Sequence, residues 1–213
     1  MNDIKLKDDV LIINTTPVVD SPSISKKIAI FDLVPENHPA LKMALPEFDF
    51  KNAPVNPVEF ASSLVETCKK HNGLGLSANQ CGYNYRVFVM GSGDEYVAFF
   101  NPKITSFSAE TTKLEEGCLS SKDLFLNIER PTSIEVEYQD YNGTTKTAKF
   151  AGLTARCFQH ELDHLNGIVY TTHVKPLAMQ MAMKKRIKLA NQRNKLQKQM
   201  INKVKEKFNV PRF

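Results

Sequence analysis

The chain has 213 residues, 42% hydrophobic and 24% charged, enough to bury one globular core. Its longest apolar runs, 28–31 and 96–100, fall far short of the roughly 20 residues of a membrane span. Four cysteines are too few for a disulfide framework, and a start that mixes Asp3, Asp8, Asp9 and Asp20 with Lys5 and Lys7 resembles neither a secretory signal nor a transit peptide. The expectation is a cytoplasmic protein with no membrane partner, whose thiols pack, ligate or attack. The net charge of +5 hides an asymmetry: residues 175–213 carry twelve Lys or Arg against Glu206 alone, a charge of +11, and the rest is at −6. A tail of that kind points to a polyanionic partner.

Seven of the eleven prolines fall in the first 57 residues, which predicts an arm over 1–56 of loops and short strands rather than long regular elements. Asn56 then reads as a helix cap, with Pro57 at the first helical position and Glu59 three residues after the cap. Phe60, Leu64 and Cys68 follow at helical spacing and Gly73 marks a stop, so a helix is predicted over 57–71. Short β-rich runs at 86–90 and 96–100 flank Gly91-Ser92-Gly93-Asp94 and read as a hairpin. Residues 133–138 alternate apolar and polar, turn at Asp140-Tyr141-Asn142-Gly143 and return over 144–150.

From Leu153 the apolar positions Cys157, Phe158, Leu162 and Leu165 recur every three to four residues, with Gly167 past the end, which predicts a buried helix. A linking strand is expected at 168–170. One long basic helix is expected from 176 to about 208, with an apolar line through Leu189, Leu196, Met200, Val204 and Phe208. The organisation read from this is a body over 1–175 and a basic tail over 176–213.

The helix at 153–165 carries His160-Glu161-Leu162-Asp163-His164, an H-E-x-x-H pattern. Two histidines four apart lie on one face about 6 Å from each other, so both imidazoles can converge on one ion while Glu161 reaches past it. A catalytic site needs three protein ligands and an open position. Cys157 shares the face but lies about 10.5 Å along the helix from His164, too far for a short thiol, and is read as a core residue. Cys118 sits in the glycine-containing segment Glu115-Glu116-Gly117-Cys118-Leu119-Ser120, outside any clear helix, where a flexible loop can bring its thiolate to the metal. The glycines of Gly73-Leu74-Gly75-Leu76-Ser77-Ala78-Asn79-Gln80 permit close approach of backbone to ligand, although such a run also serves as a plain helix stop.

These three segments, in this order, resemble the signature motifs of the peptide deformylases: the first over 73–80, the second over 116–120 and the third, Gln159 to Gly167, around the histidine pair. The resemblance spans roughly 57–190. It implies one divalent metal ion per chain, held by Cys118, His160 and His164, with Glu161 as general acid and base. Gln80 and the backbone N–H of Leu119 are implied to polarise the formyl oxygen, and Leu74, Gly75 and Gly117 to contact the peptide through their backbones. The substrate implied is an N-formylmethionyl nascent peptide, and the metal Fe(II), with Zn(II), Ni(II) or Co(II) able to replace it. The expected fold is α+β: antiparallel sheets around the motif-bearing helix, with a long basic carboxy-terminal helix. Some bacterial deformylases dock on the ribosome through such a helix, so the ribosome is a further expected partner.

Ser77 stands where the family commonly has alanine, a change expected to be harmless, and Ser121 and Lys122 replace a frequent apolar residue and proline after the second motif. Asp163 is read as support beside His160. Arg130, Arg156 and Gln159 are open between support and surface. His38, His71 and His173 lack ligand spacing. Two rival functions are an H-E-x-x-H endopeptidase, which would not usually recruit cysteine, and a ribosome- or nucleic-acid-binding protein with a structural zinc, which would need a fourth protein ligand.

Overall fold

The computed structural model describes residues 28–207; the first part of the proline-rich arm, 1–27, and Phe208 on the apolar line of the tail lie outside the described residues. Helix α1 runs Pro57–Lys70, and the Asn56 side chain accepts from the N–H groups of Val58 and Glu59 at 3.0 and 3.1 Å. That cap satisfies two of the first-turn donors a helix leaves unpaired. Strands β1 (Gly75–Ser77), β2 (Val87–Ser92), β3 (Glu95–Phe107), β6 (Ser133–Gln139) and β7 (Thr145–Ala151) form one antiparallel sheet in the order β1-β2-β3-β6-β7. Both hairpins read from the sequence are present: Phe88 pairs with Phe99, and Val136 with Ala148.

Strand β2 is buried on both faces, and its alternation sorts its residues into two cores. Phe88 and Met90 pack with Phe99, Phe150 and, from helix α2 (Gly152–Leu165), Phe158, Leu162 and Leu165. Val87 and Val89 pack on the opposite face with Phe60, Leu64 and Cys68 of α1. Helix α2 ends in a Schellman turn, where Gly167 N–H donates to His164 O and Ile168 N–H to Asp163 O. These bonds, with Thr172 N–H returning to Val169 O, close the chain into turns. The strand expected at 168–170 is therefore absent, and Tyr170–His173 form a short 3-10 helix instead.

Strands β4 (Thr111–Cys118) and β5 (Ser121–Pro131) form a separate two-stranded sheet joined by a Leu119-Ser120 turn. The loop expected around Cys118 is thus the end of a strand. A third core lies beneath this hairpin. Leu124, Leu126 and Ile128 meet Tyr170 there, and Met179, Ala182 and Met183 of helix α3 (Pro176–Lys207) pack against them.

Ion pairs extend that seat, with Arg186 bidentate on Glu36, Arg193 on Asp123 and Lys185 on Glu115. Beyond residue 190 every described α3 side chain is exposed, Leu196, Met200 and Val204 among them. Among the described residues, the apolar line of the tail therefore covers no core. The arm from 28 onward is bonded to the motif segments themselves, through Val34 N–H on Gln80 O and Leu45 N–H on Leu165 O.

Candidate metal centre

Helix α2 lies against the core through Phe158, Leu162 and Leu165, which turns His160, Glu161 and His164 toward the β4–β5 hairpin. From the hairpin, Glu116 and Cys118 both reach α2. Cys118 Sγ lies 3.2 Å from His164 Nε2, and donor atoms of Cys118, His160 and His164 all fall within 4.8 Å of one another. Cys157 contributes nothing to this cluster. It is half-buried, leaning on the main core while also lining the cleft, so the reading of it as a core residue holds for one side of the thiol only.

The electrostatics suit a cation. Burial opposes ionisation of Cys118, but the two imidazoles outweigh it and draw the thiol well below its ordinary value. Burial works against a charged His160, yet its contacts to Cys118 and Glu116 raise it to about 10. Glu161 is pushed up by burial, against the lowering pull of both histidines, and its Oε2 is buried with no hydrogen-bond partner. The backbone of β1 passes so near Glu161 that a Cβ at Gly75 would lie 2.5 Å from its Oε1; only glycine permits that approach. A thiolate and two imidazoles form a donor set that fits a borderline-soft divalent ion, with the unpartnered carboxylate oxygen of Glu161 on the same helix as the histidines.

The Gln80 side chain is held from behind. Its Oε1 accepts from Ser77 N–H and Ser77 Oγ, both at 2.9 Å, which turns Nε2 toward Cys118 Sγ and Ser120 Oγ at 3.4 and 3.2 Å. Ser77 thus anchors the amide through its backbone N–H and, in addition, its hydroxyl. Leu119, in the hairpin turn, lines the same cleft with Leu74, Gly75 and Gly117. That cleft has a volume of about 740 Å³ and reaches the rim residues Lys122, Asp123 and Phe125.

Two groups with no role foreseen complete the centre. Glu116 is buried and accepts from Arg130 Nε at 2.7 Å, Arg156 Nη1 at 2.6 Å and His160 Nδ1 at 3.1 Å. Burial alone would raise its carboxyl, but His160 and Arg130 bring it down to about 2. Its place in the same short segment, two residues before Cys118, is the signal that could have found it, while a register shift between the two interrupts the regular alternation of the strand. Asn79 Nδ2 donates to His164 O and Ala40 O at 2.7 and 3.1 Å, tying the arm to the motif helix.

The open cases also resolve. Arg130 and Arg156 are buried; Asp163 accepts from Arg130 at 2.9 Å and meets His173 at 2.8 Å; Gln159 donates to Pro131 O and Ala155 O. His38 caps the 3-10 helix Pro39–Lys42, and His71 is the C-cap of α1.

The chain is similar to the peptide deformylase of Thermotoga neapolitana, 40% identical over 146 residues that cover 68% of this chain and 87% of that protein. Among solved structures it is similar to a peptide deformylase from Synechococcus elongatus in complex with actinonin (TM-score 0.69, 29% identity, 76% of this chain and 90% of that one). It is also similar to a Met-Ala-Ser-bound class I type b peptide deformylase from Acinetobacter baumannii (TM-score 0.65, 28% identity, 70% and 100%). Residues 30–180, the stretch that holds the Cys118–His160–His164 cluster with Gln80 and Glu161, match the family model described as polypeptide deformylase, and the chain belongs to that family.

Proposed function

We propose that the protein removes the formyl group from the N-formylmethionine of newly made polypeptides, releasing formate, with Cys118, His160 and His164 holding one divalent metal ion per chain. The observation that carries this reading is the convergence of those three donors within 4.8 Å beside a buried, unpartnered carboxylate oxygen of Glu161. When bound there, a divalent metal supplies Lewis-acid activation of water and of the formyl carbonyl. Among the described residues the cluster has three donors, which fits a catalytic site and not the closed four-ligand shell of a structural zinc. Resemblance to the family favours Fe(II), and the donor set equally admits Zn(II), Ni(II) or Co(II).

Glu161, raised by burial, takes the proton of the attacking water and returns it to the departing nitrogen, so the amine leaves uncharged. Charge developing on the formyl oxygen is met by the Gln80 amide, which Ser77 already aims, and by the Leu119 N–H in the hairpin turn. The peptide lies along the backbone of Leu74, Gly75 and Gly117, whose segments line the two walls of the cleft. The enzyme works in the cytoplasm, with residues 1–175 as catalytic body and 176–213 as a basic carboxy-terminal segment whose helix, Pro176–Lys207, docks on the ribosome. Its exposed, cation-rich distal half supports that last reading. Formate release from formyl-Met-Ala-Ser by purified protein, supplied anaerobically with Fe(II) or Ni(II), tests the reaction; no release under either metal would overturn it.

A further inference from the structure

This inference rests on the deformylase reading and concerns the side chain that directly follows the formyl-methionine. Among the described residues, β1 pairs only with β2 and β4 only with β5, so an unpaired edge of each sheet borders the cleft. A peptide extended between such edges alternates its side chains: one faces the buried wall and the next faces the mouth. Two large apolar side chains stand exposed in that cleft, Leu74 at 48% and Phe125 at 45% exposure. Phe125 occupies the outward face of β5, opposite the buried Leu124 and Leu126. Its ring covers Gly117, where a Cβ would lie 2.8 Å from the ring edge. Leu74 projects from the opposite wall, its carbonyl held by Gly91 N–H at 2.8 Å.

Charged groups also reach the mouth. Its two acids are engaged by α3, Glu115 by Lys185 and Asp123 by Arg193, while Lys70 and Lys122 stand exposed at the rim. Alongside those charges stand Leu74 and Phe125, and large exposed apolar groups in one cleft mark a contact surface. We propose that Leu74 and Phe125 form a subsite that selects an apolar side chain immediately after the formyl-methionine.

The test uses the full chain loaded with Ni(II) and the peptides formyl-Met-Xaa-Ser, with Xaa as Leu, Gly, Asp or Lys. The leucine peptide is expected to exceed the glycine and aspartate peptides about tenfold in kcat/KM, about 1.4 kcal/mol, with the difference in KM. Phe125→Ala should shrink that ratio to within about twofold to threefold, and Phe125→Leu should retain it. Equilibrium binding of the products Met-Leu-Ser and Met-Asp-Ser provides a second readout, with the same order and the same dependence on Phe125. Equal kcat/KM across the series, a preference for aspartate through the rim lysines, or an undiminished ratio in folded Phe125→Ala would each overturn the subsite. Absence of formate release from every peptide would instead overturn the underlying reaction, and product binding would still decide whether the subsite discriminates.

Discussion

Glu116 Oε2 meets His160 Nδ1 at 3.1 Å, while Glu116 Oε1 takes Arg130 and Arg156. One buried carboxylate thereby bridges two guanidiniums, Arg130 sharing Asp163 as a second acid, and sets the ring nitrogens of a histidine: Nδ1 donates to Glu116, leaving Nε2 free to act as a ligand. Glu116→Ala is expected to weaken metal binding by about 10- to 100-fold in competition with a chelator. It leaves buried Arg156 with backbone carbonyls alone and Arg130 with only Asp163, so unfolding stability should fall by about 3–5 kcal/mol. Wild-type metal affinity in the variant would show that Glu116 does not orient the ligand.

Glu161→Gln keeps the shape of the side chain and removes its basicity. The variant should hold a full equivalent of metal by elemental analysis while losing most formate release, at least about 100-fold in kcat. In the same assay Cys118→Ala or His164→Ala should lose the metal itself. Turnover by Glu161→Gln at the wild-type rate would remove Glu161 from the proton transfers.

Gln80→Leu deletes an aimed amide donor, and with it one 3.4 Å contact to Cys118 Sγ, but leaves the three donor side chains in place. The expected loss is about 100- to 1,000-fold in kcat, with the metal content unchanged. Ser77→Ala keeps the backbone donor to Gln80 Oε1 and loses only the hydroxyl, so its effect should be far smaller. If Gln80→Leu matched the wild type, the formyl oxygen would not be meeting this amide.

The buried Cys68 and the half-buried Cys81 make an alkaline prediction. Burial, then the nearby Glu161, pushes Cys68 up to about 12, and burial, then Asp32, pushes Cys81 to about 12. Because the folded values lie above the ordinary 9.0, the folded chain keeps these protons when the unfolded chain releases them. The stability they contribute is whole below about pH 9 and is lost as pH rises from there toward 12. At pH 9 iodoacetamide should label both cysteines at least about tenfold more slowly in the native protein than in urea. Peptide mass spectrometry would read the rates, and equal labelling of Cys81 in the two states would contradict the burial argument.

Cutting the chain after Lys185 removes Arg186 and Arg193 but retains Met179, Ala182 and Met183, the residues that seat α3 on the β4–β5 hairpin. Formate release from a short peptide should remain within about threefold of wild type, since exposed ion pairs contribute little. Salt-dependent co-sedimentation with 70S ribosomes should be abolished, because counterion release makes such binding charge-driven. Undiminished co-sedimentation of the truncated chain at low salt would place the ribosome contact elsewhere.

Elements whose signals lie close together in the chain were legible in advance. Asn56 before Pro57, the hairpin turns and the stop at Gly167 each act over a few residues, through hydrogen bonds the chain makes with its near neighbours. The run at 168–170 misled because β-rich composition is only half the requirement: a strand needs a partner edge, and here the helix stop takes the Ile168 N–H and a following turn takes the Val169 carbonyl. Arg130 and Glu116 could not be paired by inspection. They lie 14 residues apart, and whether an arginine is a solvated surface group or the counter-ion of a buried acid depends on what covers it.

The same division runs through the metal centre. The sequence by itself determined that His160, Glu161 and His164 share one helical face, because a rise of about 1.5 Å per residue leaves no other arrangement, and the same geometry kept Cys157 out of reach. Its motifs, taken together, also pointed to Cys118 as the third ligand through resemblance. Only the tertiary structure decided how that thiol arrives: on a strand, its hairpin seated on Tyr170 and α3, with Ser77 behind Gln80 and Glu116 behind His160. It also decided that the apolar line of α3 stays uncovered beyond residue 190. Helical spacing follows from covalent geometry and local hydrogen bonds, whereas the approach of segments tens of residues apart depends on how the whole chain packs its cores.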